Sequence, residues 1–300
     1  MTKIKVKKPI KISFVFLVLL IVLLIFGNKF YKEHLYKQTY EYKLLEINYS
    51  LEETKPLIKY LNQKEIEYIL TKEYNSNIVK LVQDKYFIFN NLERYIKYTD
   101  KNNDKDIALI IKSVNVNRDL DFYENPTKTN LEDKHLMLVN KYYFLEENYI
   151  PENLNTVSLS YSYEGNSINE EVINAFMELS SDAKNSGYTI VINSSYRDYN
   201  SQKEVWESRK VLYGTRKADS FAARAGHSEH QTGFAIDVAD FFDEEDTFGN
   251  TDSFIWMKEN CYKHGFILRY PADKEDITGY SYEPWHYRYV GKEVANIIKK

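Results

Sequence analysis

The 300-residue chain contains a single cysteine, Cys261. An intramolecular disulfide is therefore excluded, and any exported part must hold itself together through a packed core. Cys261 itself reads as a small buried hydrophobe on a helix. Prolines number six and glycines ten, too few for a long disordered linker alongside 28% charged residues. The formal net charge is only −4, which argues against nucleic acid or any other strongly charged partner. What the composition does offer is 43% hydrophobic residues, enough for a sizeable core. The length is roughly twice that of a typical domain, so a second module is expected beside the main one.

The N-terminus carries Lys3, Lys5, Lys7, Lys8 and Lys11, then an apolar run from Ile12 to Phe26 interrupted only by Ser13 and followed by Gly27, Asn28 and Lys29. As a helix this run rises about 22 Å, short of the roughly 30 Å hydrocarbon core. No small-x-small cleavage pattern follows Phe26, and no nearby cysteine could take a lipid. The expectation is an uncleaved signal anchor whose flanking lysines snorkel. The lysine bias puts the N-terminus in the cytoplasm and everything after the run outside, as a single-pass membrane protein.

From Tyr31 to about Lys101 the pattern is helical and amphipathic. Ser50 with Glu53 has the form of a capping box, followed by Leu57, Ile58 and Leu61 at helical spacing, with Pro56 a defect expected to end the first turn or kink the helix. Asp100, Asn102 and Asp104 suggest a calcium loop, but Lys105 stands where glycine is needed and Ile111 where the bidentate glutamate is needed, so a polar turn is expected. The β-branched run Ile107 to Val116 reads as a strand, and the polar, turn-rich stretch from Glu124 to Asn130 as a linker. These readings divide the chain into residues 1–30, tail and anchor, residues 31–130, a helical or mixed module serving as spacer, wall binder or packing appendage, and residues 131–300.

The chemistry concentrates in the last part. Ser228-Glu229-His230-Gln231-Thr232-Gly233-Phe234-Ala235-Ile236-Asp237 and, downstream, Glu283-Pro284-Trp285-His286 gather the ingredients of a hydrolytic zinc site. Such a site needs three protein ligands, an open position for water and a carboxylate to handle the proton. His230, Asp237 and His286 can be the ligands and Glu283 the base. Phe234, Ile236 and Val238 alternate onto one face of a strand, leaving Asp237 on the other beside the small Ala235. Gly233 lets the chain turn between His230 and that strand. Pro284 makes a helix between Glu283 and His286 untenable, so that segment should be extended or turned.

The pattern Ser-x-His-x-x-Gly-x-Ala-x-Asp with a later Glu-x-x-His resembles the signature of zinc D-Ala-D-Ala carboxypeptidases of the VanY type, within the LAS group of cell-wall peptidases that includes L,D-carboxypeptidases. The likeness runs from about Leu136 to the C-terminus. It implies an α+β domain with a small, largely antiparallel sheet packed with helices, and removal of the terminal D-Ala from peptidoglycan stem peptides. Ser194-Ser195-Tyr196-Arg197 with Gln202 is similar to the family's substrate-binding segment. Arg197 would bind substrate and steady the oxyanion, Gln202 would contact substrate, and Ser228 would lie near the substrate's terminal carboxylate. Rival expectations are an L,D-carboxypeptidase acting on tetrapeptide stems and a non-catalytic wall-binding protein.

Around these motifs the expected elements are a helix opened by a Ser167–Glu170 capping box and ended by Gly187, a strand over Tyr188 to Asn193, and a helix capped by Ser201 and Glu204. A polar loop from Gly214 to Gly226, a helix from Asp252, and strands over Phe266 to Tyr270 and Trp285 to Val290 follow. His227 is expected to line the pocket or face solvent, and His34, His135 and His264 are kept out of the metal site.

Overall fold

The computed structural model describes residues 9–241 and 245–299, with backbone alone for residues 9–15, 245 and 246. Lys3, Lys5, Lys7 and Lys8 of the basic tail lie outside the described residues. The chain divides into two compact units after Asp119, whereas the sequence placed a boundary near Asn130. Residues 120–130 are drawn into the second unit by backbone bonds, Tyr123 N–H to the Lys141 carbonyl at 3.0 Å and Thr127 N–H to that of Tyr142 at 2.7 Å.

The first unit is helical: α1 (Pro9–Lys37), α2 (Tyr40–Glu46), α3 (Leu51–Tyr60), α4 (Gln63–Ile69), α5 (Ser76–Leu81), α6 (Leu92–Lys101) and α7 (Ile107–Asn115). Helix α1 runs through Gly27 and well past the apolar run, with Phe16 to Phe26 all exposed. Among the described residues no helix is long and apolar enough to cross a membrane. The Ser50–Glu53 capping box is present, and α3 continues through Pro56 rather than ending there. The expected strand over Ile107 to Val116 is instead α7. Ile110, Ile111 and Val114 share one helical face and are fully buried in the unit's core with Leu57, Ile78 and Leu92, so packing of that face overrides β-branched propensity.

The second unit is α+β. Its main sheet is antiparallel, with β5 (Ile190–Ser194), β6 (Ala235–Asp240), β7 (Phe266–Tyr270) and β8 (Glu283–Tyr289) in spatial order β5-β6-β8-β7. Two-stranded ribbons stand apart: β1 (Thr127–Lys128) beside β2 (Tyr143–Phe144), and β3 (Leu154–Thr156) beside β4 (Ser167–Asn169). Helix α8 (Glu170–Asn185) lays Val172, Phe176 and Leu179 against Ile190 and Ile192 of β5, Ile236 and Val238 of β6 and Phe266 of β7, all buried. Its cap is Asn169, the last residue of β4, whose side chain accepts from Glu171 N–H at 2.9 Å; Ser167, the expected cap, stands at the start of that strand, paired with Thr156. Helix α9 (Tyr199–Tyr213) is likewise capped earlier than expected, by Asp198 accepting from Ser201 N–H at 2.7 Å. The short α10 (Thr215–Ala218) occupies part of the predicted polar loop, and α11 (Asp252–Asn260) starts where expected.

Candidate metal centre and its cavity

The register of three strands and the turn that leads into β6 assemble the site. In β6, Asp237 pairs with His286 of β8 on one side and with Ser194 of β5, across a bulge, on the other. Two of the three proposed ligands are thus direct cross-strand neighbours, at the separation that places side chains of one face in contact. His230 arrives from a 3-10 turn, Glu229–Thr232, opened by Ser228, whose Oγ accepts from His230 N–H at 3.3 Å. Gly233 closes that turn at φ +74°, where a Cβ would also stand 3.0 Å from Pro151 Cγ. That left-handed residue turns the chain straight into β6, as its sequence position suggested.

The donor atoms of His230, Asp237 and His286 all lie within 4.8 Å of one another, and the three residues are buried. His230 Nε2 is 3.2 Å from Asp237 Oδ2, and His286 Nδ1 is 2.9 Å from Asp237 Oδ1. The outward nitrogens are occupied. His230 Nδ1 donates to the Ser195 carbonyl at 2.6 Å, which leaves Nε2 as the inward lone pair. His286 Nε2 lies 3.4 Å from Glu229 Oε2, leaving Nδ1 inward. Two imidazoles with outer N–H groups held by a carbonyl and a carboxylate, and one carboxylate between them, form the donor set of a zinc site with its supporting partners.

Charge supports the same fit. Burial opposes protonation of His286, yet its contacts with Asp237 and Glu229 raise its pKa to about 10. Two carboxylates that draw a proton onto His286 would also stabilise a dication there. Burial, with Arg197 nearby, keeps His230 below its ordinary value although Asp237 pulls the other way, so it remains a neutral ligand. Burial would push the Asp237 carboxyl up, but the two histidines hold it well below the carboxylate range.

Glu229 had no role in the sequence reading. Its side chain is 2% exposed and sits between Arg269 Nε at 2.7 Å and Arg288 Nη1 at 3.5 Å. Burial pushes its carboxyl up, and the two guanidiniums outweigh that and keep it ionised. Arg288 is tied back to the carbonyls of His135 and Met137 at 3.0 and 2.9 Å, so Glu229 is held from behind while it faces His286. Its position between Ser228 and His230 was the only sequence signal; the partners that explain it come from β7 and β8.

The triad opens onto a cavity of about 380 Å³ whose wall also includes Arg197, Ser228, Glu283, Tyr270 and Trp285. Glu283 begins β8, 9% exposed, opposite Tyr270 where the β7–β8 register slips. Pro284 follows at that irregularity, a place in a sheet that tolerates a missing N–H. Arg197 leaves the end of β5; its Nη2 donates to Ser194 Oγ and its Nη1 to Gln202 Oε1, both at 2.9 Å. Gln202 is 2% exposed and spends its amide N–H on the Ala223 carbonyl at 2.7 Å. The structure therefore places Gln202 as the brace that aims Arg197, although it too borders the cavity.

The remaining histidines stay apart from the triad. His227 is not part of this wall: its Nδ1 is 2.7 Å from the Asn140 carbonyl and its ring packs on Tyr123. His264 lies 3.1 Å from Asp182, and His135 packs on Tyr289.

A four-stranded antiparallel sheet that, with the turn leading into β6, gathers two histidines and an aspartate under a polar cavity defines the second unit as an α+β fold of the LAS peptidase type. The family is VanY: residues 165–292 match the family described as D-alanyl-D-alanine carboxypeptidase, and this part of the chain belongs to it. The chain is 43% identical over 171 residues to the putative carboxypeptidase YodJ of Bacillus subtilis, covering 55% of this chain and 63% of YodJ. It is 39% identical over 134 residues to a D-alanyl-D-alanine carboxypeptidase of Enterococcus faecium, covering 44% of this chain and 41% of that protein. It thus spans less than two thirds of either relative. Among solved structures, the LD-carboxypeptidase LdcB superposes with a TM-score of 0.55 at 39% identity, over 60% of this chain and 88% of that one.

Proposed function

We propose that the protein is a zinc D-alanyl-D-alanine carboxypeptidase that removes the terminal D-Ala from peptidoglycan stem peptides. The observation that carries the proposal is the buried His230–Asp237–His286 triad, opening onto a cavity that Arg197 and Glu283 also line. His230 Nε2, His286 Nδ1 and the Asp237 carboxylate would hold the metal. When bound there, zinc supplies a Lewis acid able to lower the pKa of water from ~15.7 to about 7. Glu283 takes the proton of the attacking water and hands one to the leaving amine as the amide breaks. Arg197, braced by Gln202 and Ser194, offers its guanidinium to the carbonyl oxygen as charge builds. Ser228 borders the same cavity and is the candidate contact for the substrate carboxylate. Glu229 and the Ser195 carbonyl keep the two imidazoles turned inward.

A second reading, L,D-carboxypeptidase action on tetrapeptide stems, is favoured by the likeness to LdcB. Incubating the purified zinc-loaded protein with penta- and tetrapeptide stems separates the two. Release of D-Ala from the pentapeptide ahead of the tetrapeptide is the expected result; release from the tetrapeptide alone would assign the L,D activity, and release from neither would leave a wall-binding role.

For location, we propose a single-pass anchor around the run Ile12 to Phe26, with the rest of the chain outside the cell. The exposed apolar side chains of Phe16 to Phe26 and the lysine-rich tail support it, and the shortness of the run calls for snorkelling lysines or local thinning of the bilayer. Recovery of a mature protein beginning just after residue 26 from the medium would contradict it.

A further inference from the structure

Helix α9 packs through Gln202 and Trp206, one turn apart and both buried, and its last turn meets the short α10 and, through Tyr213, the ring of Phe221. At its end Val211, Leu212 and Tyr213 follow one another at 82%, 67% and 53% exposure. Three consecutive helical residues point about 100° apart, so they crown the tip instead of forming a stripe. Arg209 and Lys210 precede the crown, Arg216 and Lys217 follow it, and no acidic residue lies between Glu207 and Asp219. Asp219 is engaged by Arg224 and Trp206, and Glu207 by Lys210. Among the described residues Arg209, Arg216 and Lys217 have no ion-pair partner.

We propose that this tip is a membrane contact that dips its apolar crown into an anionic lipid surface while the cations remain among the headgroups. The shape selects the partner. Exposed apolar side chains that diverge by about 100° from one to the next need a medium that yields to them, which the bilayer interface does. An anionic polymer in water would engage the cations but leave Val211 and Leu212 exposed, and a folded protein would have to supply a matching socket. Three cations without a carboxylate partner among the described residues, Arg209, Arg216 and Lys217, suit a negatively charged leaflet. Tyr213 also borders the catalytic cavity, so a docked tip holds that edge of the cavity at the lipid surface.

The test uses the full chain with Thr215→Cys carrying an environment-sensitive fluorophore, since Cys261 is buried and stays unlabelled. Vesicles of phosphatidylcholine alone, or mixed with phosphatidylglycerol, carry nitroxide lipids as quenchers. Quenching is expected with phosphatidylglycerol only, relieved at high salt. It should be lost in the double variant Val211→Asp, Leu212→Asp, because each apolar side chain in the interface is worth roughly tenfold or more. Arg216→Glu with Lys217→Glu should require a several-fold higher phosphatidylglycerol fraction. Hydrolysis of a water-soluble stem peptide should be unchanged in both variants, which separates a lost contact from a lost fold. Cosedimentation of the chain reports on the N-terminal anchor, so failure of the anchor and failure of the tip are distinguishable. A label quenched equally in neutral vesicles, quenched in neither, or shielded only by a soluble wall polymer or protein would overturn the proposal.

Discussion

The two units bury different things. In the first, the buried polar residues among those described are Thr54, Thr99, Ser113 and Asn117, none of them charged. In the second, Lys141, Glu229, Asp237, Glu283 and Arg288 are all buried, along with His230, His264 and His286. Burying charge costs free energy unless every group is paired. The first unit carries less of that cost: the Asp119 side chain, 8% exposed, is paired with Arg94, and the core around Leu57, Ile78 and Leu92 is apolar. The second carries it along two strands, β6 and β8, where Asp237, Glu283, His286 and Arg288 stand under the cavity. The contrast separates residues kept for folding from residues kept for chemistry, and substitutions in each unit should fail in different ways.

The largest effect is expected at Glu283. Glu283→Gln keeps size and polarity but cannot accept the water's proton, so turnover should fall by about 100- to 10,000-fold with zinc content and thermal midpoint near wild type. A fully metallated variant turning over within tenfold of wild type would remove Glu283 from the mechanism. Glu229→Gln should fail in a mixed way. It leaves Arg269 and Arg288 without their shared carboxylate, a loss of about 3–5 kcal/mol for a broken buried pair, and frees the outer nitrogen of His286, weakening zinc binding by roughly 10- to 100-fold. Denaturant titration and a competitive zinc assay on one preparation read both.

Leu57→Ala should fail by the other route, through packing alone. Leu57 is wholly buried in the first unit, so the substitution should cost about 2–5 kcal/mol and leave the turnover of folded molecules unchanged. A matching fall in turnover would mean that the first unit shapes the active site.

The smallest effect concerns Lys141, a buried cation whose ammonium donates to the carbonyls of Asp219 and Gly279 and faces the rings of Phe122 and Tyr280. Burial lowers its pKa to about 8, below the ordinary value near 10.5 that the unfolded chain recovers. Between these values the unfolded chain binds more protons, so this group makes stability rise with pH. Relative to Lys141→Met, the wild type should gain on the order of 1–2 kcal/mol between about pH 7 and pH 10, after discounting for solvent screening. A flat difference across that range would contradict the buried-cation account.

The distribution of charge also explains what could be read from the sequence. Asp237, His230 and His286 were legible because strand alternation and a turn glycine constrain their directions locally, and the Ser50–Glu53 cap because its two partners are three residues apart. Glu229 was not, since its meaning lies in Arg269 and Arg288, which only the sheet brings to it. Gln202 was placed at the site, but its bracing of Arg197 depends on where Ala223 presents a carbonyl. The run Ile107 to Val116 reads as a strand by propensity and folds as α7 because a helix puts Ile110, Ile111 and Val114 on one buried face. Asn169 and Asp198 replaced the expected caps because α8 begins only at Glu170, after the end of β4, and because α9 begins three residues earlier than Ser201 implies.

Cross-strand pairing of Asp237 with His286, and the Gly233 turn that delivers His230, bring the three residues together to hold zinc. Metal analysis of the purified wild-type protein and of His230→Ala, after equilibration with equal zinc and removal of excess, tests that assignment most directly. One zinc per wild-type chain is expected, with the zinc-loaded protein more stable than the stripped one, and little or none in His230→Ala. Full zinc occupancy in the substituted protein would contradict it.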